Sequence, residues 1–352
     1  MLTRRDLIRG AAAAAPLLWA GPTRADDSRG RLGVCTYSYQ LHWAAARQNQ
    51  PDLPFRDALG FLDHCHRVGA GGVQVVVGPW EPGYAAKVRA KADALGMYVE
   101  GQVGLPQAPE DVERFDGQIR IAGEAGMDVV RAVCLGGRRY ETFATAADYA
   151  RFADRSRQAL ALSEPVVRRH RVRLAIENHK DFRAPELLDL LKRLGSEFVG
   201  VCVDTGNSVA LLEDPLAVVG SLAPVAVTTH FKDMAVEESA DGFRLAEVPL
   251  GDGYLDLAKV AAVLRRANPA IRFNLEMITR DPLSVPCLTD KYWATMETVP
   301  GRDLARTLAT VRAKAPRQPL PRVSGLSPAE KLKREEENVR ACFAFARRRL
   351  GM

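Results

Sequence analysis

The 352-residue chain is long enough for one large domain with extensions. With 47% hydrophobic and 26% charged residues it has a globular composition, which excludes long disordered tracts. The formal net charge is +6, but the first 25 residues contribute +3 of it, through four arginines against one aspartate, and leave +3 for the rest of the chain. We therefore expect no nucleic-acid partner.

The N-terminus has the pattern of a targeting segment. Arg4 and Arg5 precede a short apolar stretch at Ala11–Ala20, and Thr23-Arg24-Ala25 offers small residues for cleavage. The apolar stretch is shorter than the ~20 residues that span a bilayer, so we expect no stable membrane anchor. The twin arginine resembles a Tat signal peptide over residues 1–25, which predicts export of the folded protein to the periplasm. An uncleaved N-terminal helix is the alternative.

The six cysteines show no CxxC or zinc-finger spacing. Cys134 and Cys202 lie in apolar strand patterns and Cys65 lies in a helical one, so buried free thiols are predicted rather than disulfides. The pattern leaves the state of Cys35, near the mouth of the first strand, open.

Short apolar runs alternate with amphipathic runs after the signal. The predicted strands are Leu32–Tyr37, Gly72–Val77, Tyr98–Val103, Asp128–Cys134, Arg171–Glu177, Phe198–Asp204, Val225–His230 and Ile271–Glu276. The helical patterns between them include Phe55–Val68, Tyr84–Leu95, Thr145–His170 and Asp256–Ala267. Eight strands separated by helices favour a (β/α)₈ TIM barrel over residues 31–313, and the absence of GxGxxG after the first strand argues against a doubly wound dinucleotide-binding sheet.

The last four predicted strands agree in phase. Each ends in a polar residue, and stepping back by twos from that residue gives the face that points into the barrel. The residues assigned to this inner face are Ala175 and Glu177, Gly200, Cys202 and Asp204, Ala226, Thr228 and His230, and Asn274 and Glu276. Smaller or polar residues thus share the inner face, while mostly larger apolar residues face the helices.

Beyond Glu276 the composition changes. Thr279–Pro300 has the composition of a loop, and Gly301–Ala313 that of the final barrel helix. Residues 314–352 are predicted to form a linker and a charged helix with Ser327 as N-cap. We expect this C-terminal helical extension to pack on the barrel exterior or on a partner subunit of a homo-oligomer.

Four polar side chains are predicted to converge at the barrel mouth, where the strands end. Three of them are carboxylates, and like charges buried together need protons, arginine partners or a metal ion. Glu177, Asp204, His230 and Glu276 supply three oxygens and one imidazole, a set that suits Mn²⁺ and could also hold Mg²⁺, Co²⁺ or Zn²⁺. The alternative is that some of these acids are helix caps or ion-pair partners.

The order E…D…H…E at these strand ends resembles the xylose isomerase-like barrels of the sugar isomerase/epimerase superfamily. The resemblance covers roughly Arg31 to Ala313 and rests on the segments LAIENH, VCVDTGN, THFKDM, VPLGDGYLD and NLEMITRDP. It implies one divalent metal held by Glu177, Asp204, His230 and Glu276. It also implies that Glu177 and Glu276 exchange a proton at a carbon beside a carbonyl.

The chain also departs from the epimerase pattern. Asn207 stands where the sugar epimerases usually have histidine, and we expect it to contact substrate. His179 adds a titratable group at the rim, which could expel a β-hydroxyl or a glycosidic oxygen as in the dehydratase and keto-glycoside-cleaving branches. Lys232 and Asp233 resemble the inosose and dehydroshikimate dehydratase branches, where the lysine meets substrate oxygens. A Lys–Asp pair at the rim is the alternative for these two residues.

Four further residues are candidates for substrate contacts. Arg131, Gln102 and Tyr37 could touch sugar hydroxyls, and Trp80 could stack on a sugar face. Endonuclease IV shares the barrel but needs more rim histidines for its three-metal cluster, which argues against DNA repair.

The sequence therefore predicts a metal-dependent isomerase or epimerase that abstracts a proton α to a carbonyl of an unphosphorylated sugar or keto-sugar. A dehydratase or lyase acting on a keto-sugar, an inosose or a 3-keto-glycoside is the first alternative. A non-catalytic carbohydrate-binding barrel is the second.

Overall fold

The protein, analysed as a computed structural model that describes residues 31–352, is built around a closed barrel of parallel strands. The strands are β1 (Gly33–Cys35), β2 (Gly72–Val76), β3 (Tyr98–Gln102), β4 (Val129–Ala132), β5 (Arg173–Glu177), β6 (Val199–Asp204), β7 (Ala226–Phe231), β8 (Asp233–Ser239), β9 (Gly242–Val248), β10 (Phe273–Leu275) and β11 (Leu283–Val285). The barrel order is β1-β10-β7-β6-β5-β4-β3-β2, closing on β1. All eight predicted barrel strands are present, and the TIM barrel is confirmed. The predicted signal segment lies outside the described residues.

Helices cover the outside of the barrel. They are α1 (Gln40–Arg47), α2 (Ala58–Val68), α3 (Tyr84–Leu95), α4 (Val112–Glu124), α5 (Arg139–Thr142), α6 (Ala146–His170), α7 (Ala184–Leu194), α8 (Pro215–Leu222), α9 (Leu257–Ala267), α10 (Asp290–Trp293), α11 (Gly301–Lys314) and α12 (Pro328–Phe345). Where the predicted starts are early, the reason is a capping residue: Asp57, Thr145 and Asp256 each accept a backbone N–H three residues ahead and stand just outside the helix.

The main core lies between the barrel and this helical layer. Leu174 and Ile176 on the outer face of β5 share one buried cluster with Leu187 of α7. Burying such a side chain is worth roughly 1.5–3 kcal/mol. Because the large apolar residues are used on the outer face, the inner face of these strands is left for small and polar residues.

The prediction that Ala226 lies on the inner face of its strand is wrong. The register between β6 and β7 shifts after Val201, so that Val201 pairs with Ala226 but Cys202 pairs with Thr228. This bulge turns Ala226 outward into the main core and Val227 inward. Val227 occupies space left by Gly200, at which an added Cβ would lie 2.5 Å from Cγ2 of Val227.

A second, three-stranded antiparallel sheet follows β7 and was not predicted. Its order is β11-β9-β8, and the hairpin turns at Ala240-Asp241, between the paired residues Ser239 and Gly242. Asp-Gly between two alternating runs is a hairpin signal, so the sequence did carry this information. The stretch 279–300, predicted to be a loop, also contains β11 and α10.

The C-terminal extension packs on the barrel exterior, as predicted. The Ser327 hydroxyl accepts the Glu330 N–H and begins α12. Farther along α12, the fully buried Glu335 carboxylate accepts the N–H groups of Leu41 (2.8 Å) and His42 (3.0 Å) at the start of α1. The extension therefore holds the segment that follows β1 at the barrel mouth.

Cys35, Cys65, Cys202, Cys287 and Cys342 are buried, and Cys134 is half-buried. All six are free thiols, which confirms the prediction and settles the state of Cys35, which the sequence had left open. Within residues 31–352, no helix combines the length and the apolar character needed to cross a membrane.

Candidate metal centre

The four residues predicted as metal ligands meet at the barrel mouth. Glu177, Asp204 and His230 lie at the ends of β5, β6 and β7, and Glu276 directly follows β10. One ligand atom from each of the four lies within 4.8 Å of the others, and all four residues are buried. The Nδ1 atom of His230 lies 3.1 Å from Oε2 of Glu177 and 3.0 Å from Oε1 of Glu276.

Two of these ligand atoms have no well-directed hydrogen bond among the described residues. They are Nδ1 of His230 and Oδ2 of Asp204, although the latter lies 2.8 Å from the Lys232 ammonium. Buried polar atoms normally have partners, and two unsatisfied ones within one cluster of potential ligands are suited to binding a cation. Cys35 and Cys202 lie nearby but are less suitable metal ligands, because a thiol binds a metal as the thiolate. Burial raises the pKa of Cys35 to about 12 and that of Cys202 to about 11.

A glutamine holds the imidazole in the tautomer that suits a metal ligand. Nε2 of His230 lies 2.7 Å from Oε1 of Gln74. The Gln74 amide donates from Nε2 to Glu100 (3.1 Å), which leaves its oxygen to accept from the histidine. Nε2 therefore carries the proton and Nδ1 presents its lone pair to the quartet.

Gln102 belongs to this support and not to the substrate surface. Its Nε2 donates to Oε1 of Gln74 at 3.0 Å, and its Oε1 accepts from the Thr36 hydroxyl at 3.2 Å. The side chain is buried. The predicted contact between Gln102 and a sugar hydroxyl is therefore corrected to a role in orienting Gln74.

Arg131 is also used internally. Its Nε donates to Oε2 of Glu177 at 2.6 Å, and Nδ2 of Asn207 donates to Oε1 of the same carboxylate at 2.9 Å. The guanidinium predicted to touch sugar hydroxyls thus holds a ligand carboxylate from one side while Asn207 holds it from the other. Burial acts to raise the pKa of Glu177, but Arg131 and His230 lower it well below the usual range.

The Lys232 ammonium, predicted to meet substrate oxygens, contacts Oε2 of Glu276 as well as Asp204. Burial acts to raise the pKa of Glu276, but Lys232 and His230 lower it well below the usual range. Burial raises the pKa of Asp204 to about 6, with Lys232 acting in the opposite direction. The two glutamates are therefore ionised at neutral pH.

A cation would compete with a proton for His230. Burial acts to lower the pKa of this histidine, yet the surrounding anions, Glu276 and Glu177 among them, raise it well above the usual value. The quartet thus stabilises a positive charge, which is carried either by a protonated His230 or by a bound cation.

Asp233 is placed differently from the prediction. Its Oδ1 accepts the N–H groups of Met234 and Leu255, and its Oδ2 accepts those of Gly251 and Gly253. With both oxygens committed to backbone, Asp233 holds the loop after β9 and does not face a substrate. It also forms no pair with Lys232 among the described residues.

His179 stays at the rim, half-buried, with no hydrogen bond to its Nδ1 among residues 31–352. Burial and the neighbouring Lys180 lower its pKa to about 3, so the imidazole is neutral at physiological pH. It can therefore accept a proton or donate one hydrogen bond.

Two aromatic candidates differ in position. Tyr37 is 37% exposed, and its ring lies 5.5 Å from the guanidinium carbon of Arg131, which places it over the site. Trp80 packs edge-on against Tyr84, with ring centroids 5.1 Å apart, and is half-buried against the core. Tyr37 is thus the aromatic residue of this pair that contacts the charged network.

Three charged residues of the site were not predicted. The Lys180 ammonium contacts Oδ1 of Asn207, and burial together with Lys232 lowers its pKa to about 8. Glu247 on β9 pairs with Arg280 (Oε2 to Nε, 3.1 Å). Its carboxylate acts to raise the pKa of both Lys180 and Lys232. Lys180 stands in the ENHKD segment three residues after Glu177, which was a usable signal, but Glu247 could not be placed without the second sheet.

The chain matches the family model for the xylose isomerase-like TIM barrel over residues 62–299. It is 26% identical over 241 residues to the 3-oxo-isoapionate decarboxylase of Pectobacterium atrosepticum, across 66% of this chain and 80% of that protein. Among solved structures it resembles a D-psicose 3-epimerase described in the presence of D-fructose, with a TM-score of 0.60 and 14% identity over 92% of this chain and 100% of the other.

It also resembles a xylose isomerase-like protein from Mycobacterium smegmatis in complex with magnesium, with a TM-score of 0.53 and 13% identity over 79% and 97% of the two chains. The epimerase and magnesium-complex structures share the fold at low identity, whereas the family model covers more than half of the chain. The chain belongs to the xylose isomerase-like TIM barrel family.

Proposed function

We propose that the protein is a divalent-metal-dependent enzyme that forms and quenches an enediolate beside the carbonyl of an unphosphorylated keto-sugar. The observation that carries this proposal is the convergence of Glu177, Asp204, His230 and Glu276, with unsatisfied ligand atoms on the aspartate and the histidine. Three oxygens and one imidazole suit Mn²⁺ first and Mg²⁺, Co²⁺ or Zn²⁺ next. A bound cation of this kind supplies electrostatic stabilisation of negative charge at the carbonyl oxygen.

Proton transfer falls to the carboxylates of the chain. Glu276 is ionised, and one of its oxygens contacts the Lys232 ammonium. It accepts the α-proton, and the adjacent ammonium keeps the acquired proton labile, so that it returns to the same or the neighbouring carbon. General acid–base help of this kind is worth about 10²–10⁴-fold in rate.

Glu177 is less free to act, and this favours a lyase as the second candidate. Arg131 and Asn207 donate hydrogen bonds to its two oxygens, whereas epimerisation needs an acid and a base on opposite faces of the substrate. The proton taken up by Glu276 can pass to a departing oxygen substituent of the enediolate, and the neutral imidazole of His179 at the rim can donate a hydrogen bond to that oxygen. The similarity to a decarboxylase supports the same branch.

The experiment is incubation of the Mn²⁺-loaded enzyme with a panel of keto-sugars, inososes and 3-keto-glycosides in deuterated water, followed by NMR. Deuterium at the α-carbon without loss of a substituent identifies an isomerase or epimerase. Loss of water, carbon dioxide or an aglycone identifies a lyase. No exchange with any compound while the metal is bound would contradict catalysis and leave the carbohydrate-binding barrel.

A Glu276→Gln variant tests the proton-transfer role within that assay. We expect exchange to fall by at least about 10²-fold, because the amide cannot accept the proton. The matched control is Glu297→Gln, which changes an exposed glutamate away from the quartet. Unchanged exchange in Glu276→Gln would rule out this carboxylate as the base.

We also propose export to the periplasm, which rests on residues 1–25 alone. Replacing Arg4 and Arg5 together by lysine is expected to retain the protein in the cytoplasmic fraction. Equal periplasmic recovery of both forms would contradict a twin-arginine route.

A further inference from the structure

Lys180 is a buried cation without an anionic partner. Only 3% of the residue is exposed, and its ammonium contacts the neutral amide oxygen of Asn207. No carboxylate of residues 31–352 lies within 4.0 Å of it, whereas the neighbouring Lys232 contacts both Asp204 and Glu276. Buried charges are normally paired, so an unpaired ammonium that faces a site indicates a ligand that supplies the anion.

The charge of the whole site points the same way. The mouth contains four cationic side chains, Arg131, Lys180, Lys232 and Arg280, and four carboxylates, Glu177, Asp204, Glu247 and Glu276. With His230 neutral as a metal ligand these charges balance, so a divalent cation bound to the quartet would add two uncompensated positive charges. An uncharged sugar would leave that excess in a buried site, while an anionic substrate would reduce it.

Of the four cationic side chains, Lys180 is the one that no carboxylate of the described residues contacts. Arg131 is paired with Glu177, Arg280 with Glu247, and Lys232 with two carboxylates. Oδ1 of Asn207 lies in contact with Lys180 and 3.5 Å from Nζ of Lys232, so this point is shared by two ammonium groups. A ligand oxygen placed there would meet both.

We propose that Lys180 binds a carboxylate group of the substrate, so that the substrate class is a keto-sugar acid and not an uncharged sugar. This inference rests on the metal-dependent function proposed above. A carboxylate fits better than a phosphate, because its single negative charge matches the one ammonium without a contacting carboxylate, whereas a phosphate carries about −2. The backbone N–H groups of Gly206 and Asn207 already donate to Asp204 and are not free to bind a phosphate.

Isothermal titration of the Mn²⁺-loaded protein with unreactive ligands tests the assignment without turnover. Xylonate carries the carboxylate, xylitol is its uncharged counterpart, and xylitol 5-phosphate carries a different anion. We expect xylonate to bind at least about tenfold more tightly than xylitol and more tightly than the phosphate. Equal affinities for xylonate and xylitol, or a preference for the phosphate, would overturn the proposal.

Lys180→Met should weaken xylonate binding by about 10- to 100-fold, the range for losing a hydrogen bond to a charged group, and leave xylitol binding unchanged within about twofold. Lys192→Met, which removes an exposed lysine on α7, is the matched control and should change neither. Unchanged xylonate binding in Lys180→Met would overturn the assignment.

Measurements of Mn²⁺ binding distinguish a substrate-binding role of Lys180 from a purely structural one. If Lys180 binds the substrate anion, Lys180→Met should bind Mn²⁺ at least as tightly as the wild type, because a cation has left the site, and Lys180→Arg should recover part of the xylonate affinity. Parallel loss of Mn²⁺ and xylonate binding would overturn the proposal. Failure of the wild type to bind Mn²⁺ or to exchange deuterium would instead contradict the metal-dependent function, so the two failures are distinguishable.

Discussion

Nε2 of His230 and Oε1 of Gln74 lie 2.7 Å apart inside the barrel, and the Gln74 amide is oriented by Glu100 on its other side. The histidine is therefore oriented by a residue three strands away around the barrel. Partners of this kind tune metal affinity by about 10- to 100-fold. We expect Gln74→Leu to weaken Mn²⁺ binding by that factor, measured by isothermal titration.

The control for this prediction is Gln48→Leu, which removes an exposed glutamine just after α1. Thermal unfolding of both variants separates loss of metal affinity from loss of the folded state. A folded Gln74→Leu protein with wild-type Mn²⁺ affinity would show that Gln74 does not govern the imidazole.

The barrel and its quartet were predictable because two independent patterns coincide at the strand ends. An apolar run that ends in Glu177 or Asp204 gives both a strand and the face its last residue occupies. That logic fails at Ala226, because a bulge inserts one residue and reverses the phase. Nothing in the local apolar pattern distinguishes Ala226 from Val227, since the shift depends on the space at Gly200 on the neighbouring strand.

The outer part of the site was less predictable for a different reason. Arg131, Gln102 and Asp233 were placed at the mouth correctly, but their hydrogen bonds go to Glu177, Gln74 and the loop after β9. A sequence indicates which polar residues gather at one end of a barrel. It does not indicate which of them satisfy one another, because that depends on side-chain distances across strands.

The C-terminal helix is expected to stabilise the mouth through Glu335. This buried carboxylate accepts two N–H groups at the start of α1 and lies 2.7 Å from Nδ1 of His42. Glu335→Ala leaves these donors unsatisfied and should lower the free energy of unfolding by roughly 3 kcal/mol. Urea denaturation measures the loss, and Glu337→Ala, an exposed change on the same helix, should stay within about 0.5 kcal/mol.

Asp233 makes a more local prediction. Its carboxylate collects four backbone N–H groups, three of them from the loop that follows β9. Asp233→Ala should cost about 2–4 kcal/mol of stability and raise the hydrogen-exchange rates of the Gly251, Gly253 and Leu255 amides. Asp241→Ala, at the exposed turn of the hairpin, serves as the control. Unaltered exchange at these three amides would show that other contacts hold the loop.

Stability should also depend on pH through Glu213. Burial raises the pKa of this carboxyl to about 7, although Arg183 and the N–H of Ala184 act in the opposite direction. Because the folded pKa lies above the unfolded one, the folded state binds more protons, and the contribution to stability is lost as the pH rises from about 4.5 to about 7.

Glu213→Gln keeps an oxygen for Ala184 and removes the titration. Relative to the wild type, this variant should gain up to ~3 kcal/mol between about pH 5 and about pH 8. Asp181, whose pKa burial also raises to about 7, remains in both proteins, so the difference isolates Glu213. Urea denaturation at the two pH values provides the comparison, with Glu297→Gln as control. A variant whose stability runs parallel to that of the wild type would show that Glu213 is ionised in the folded protein across this range.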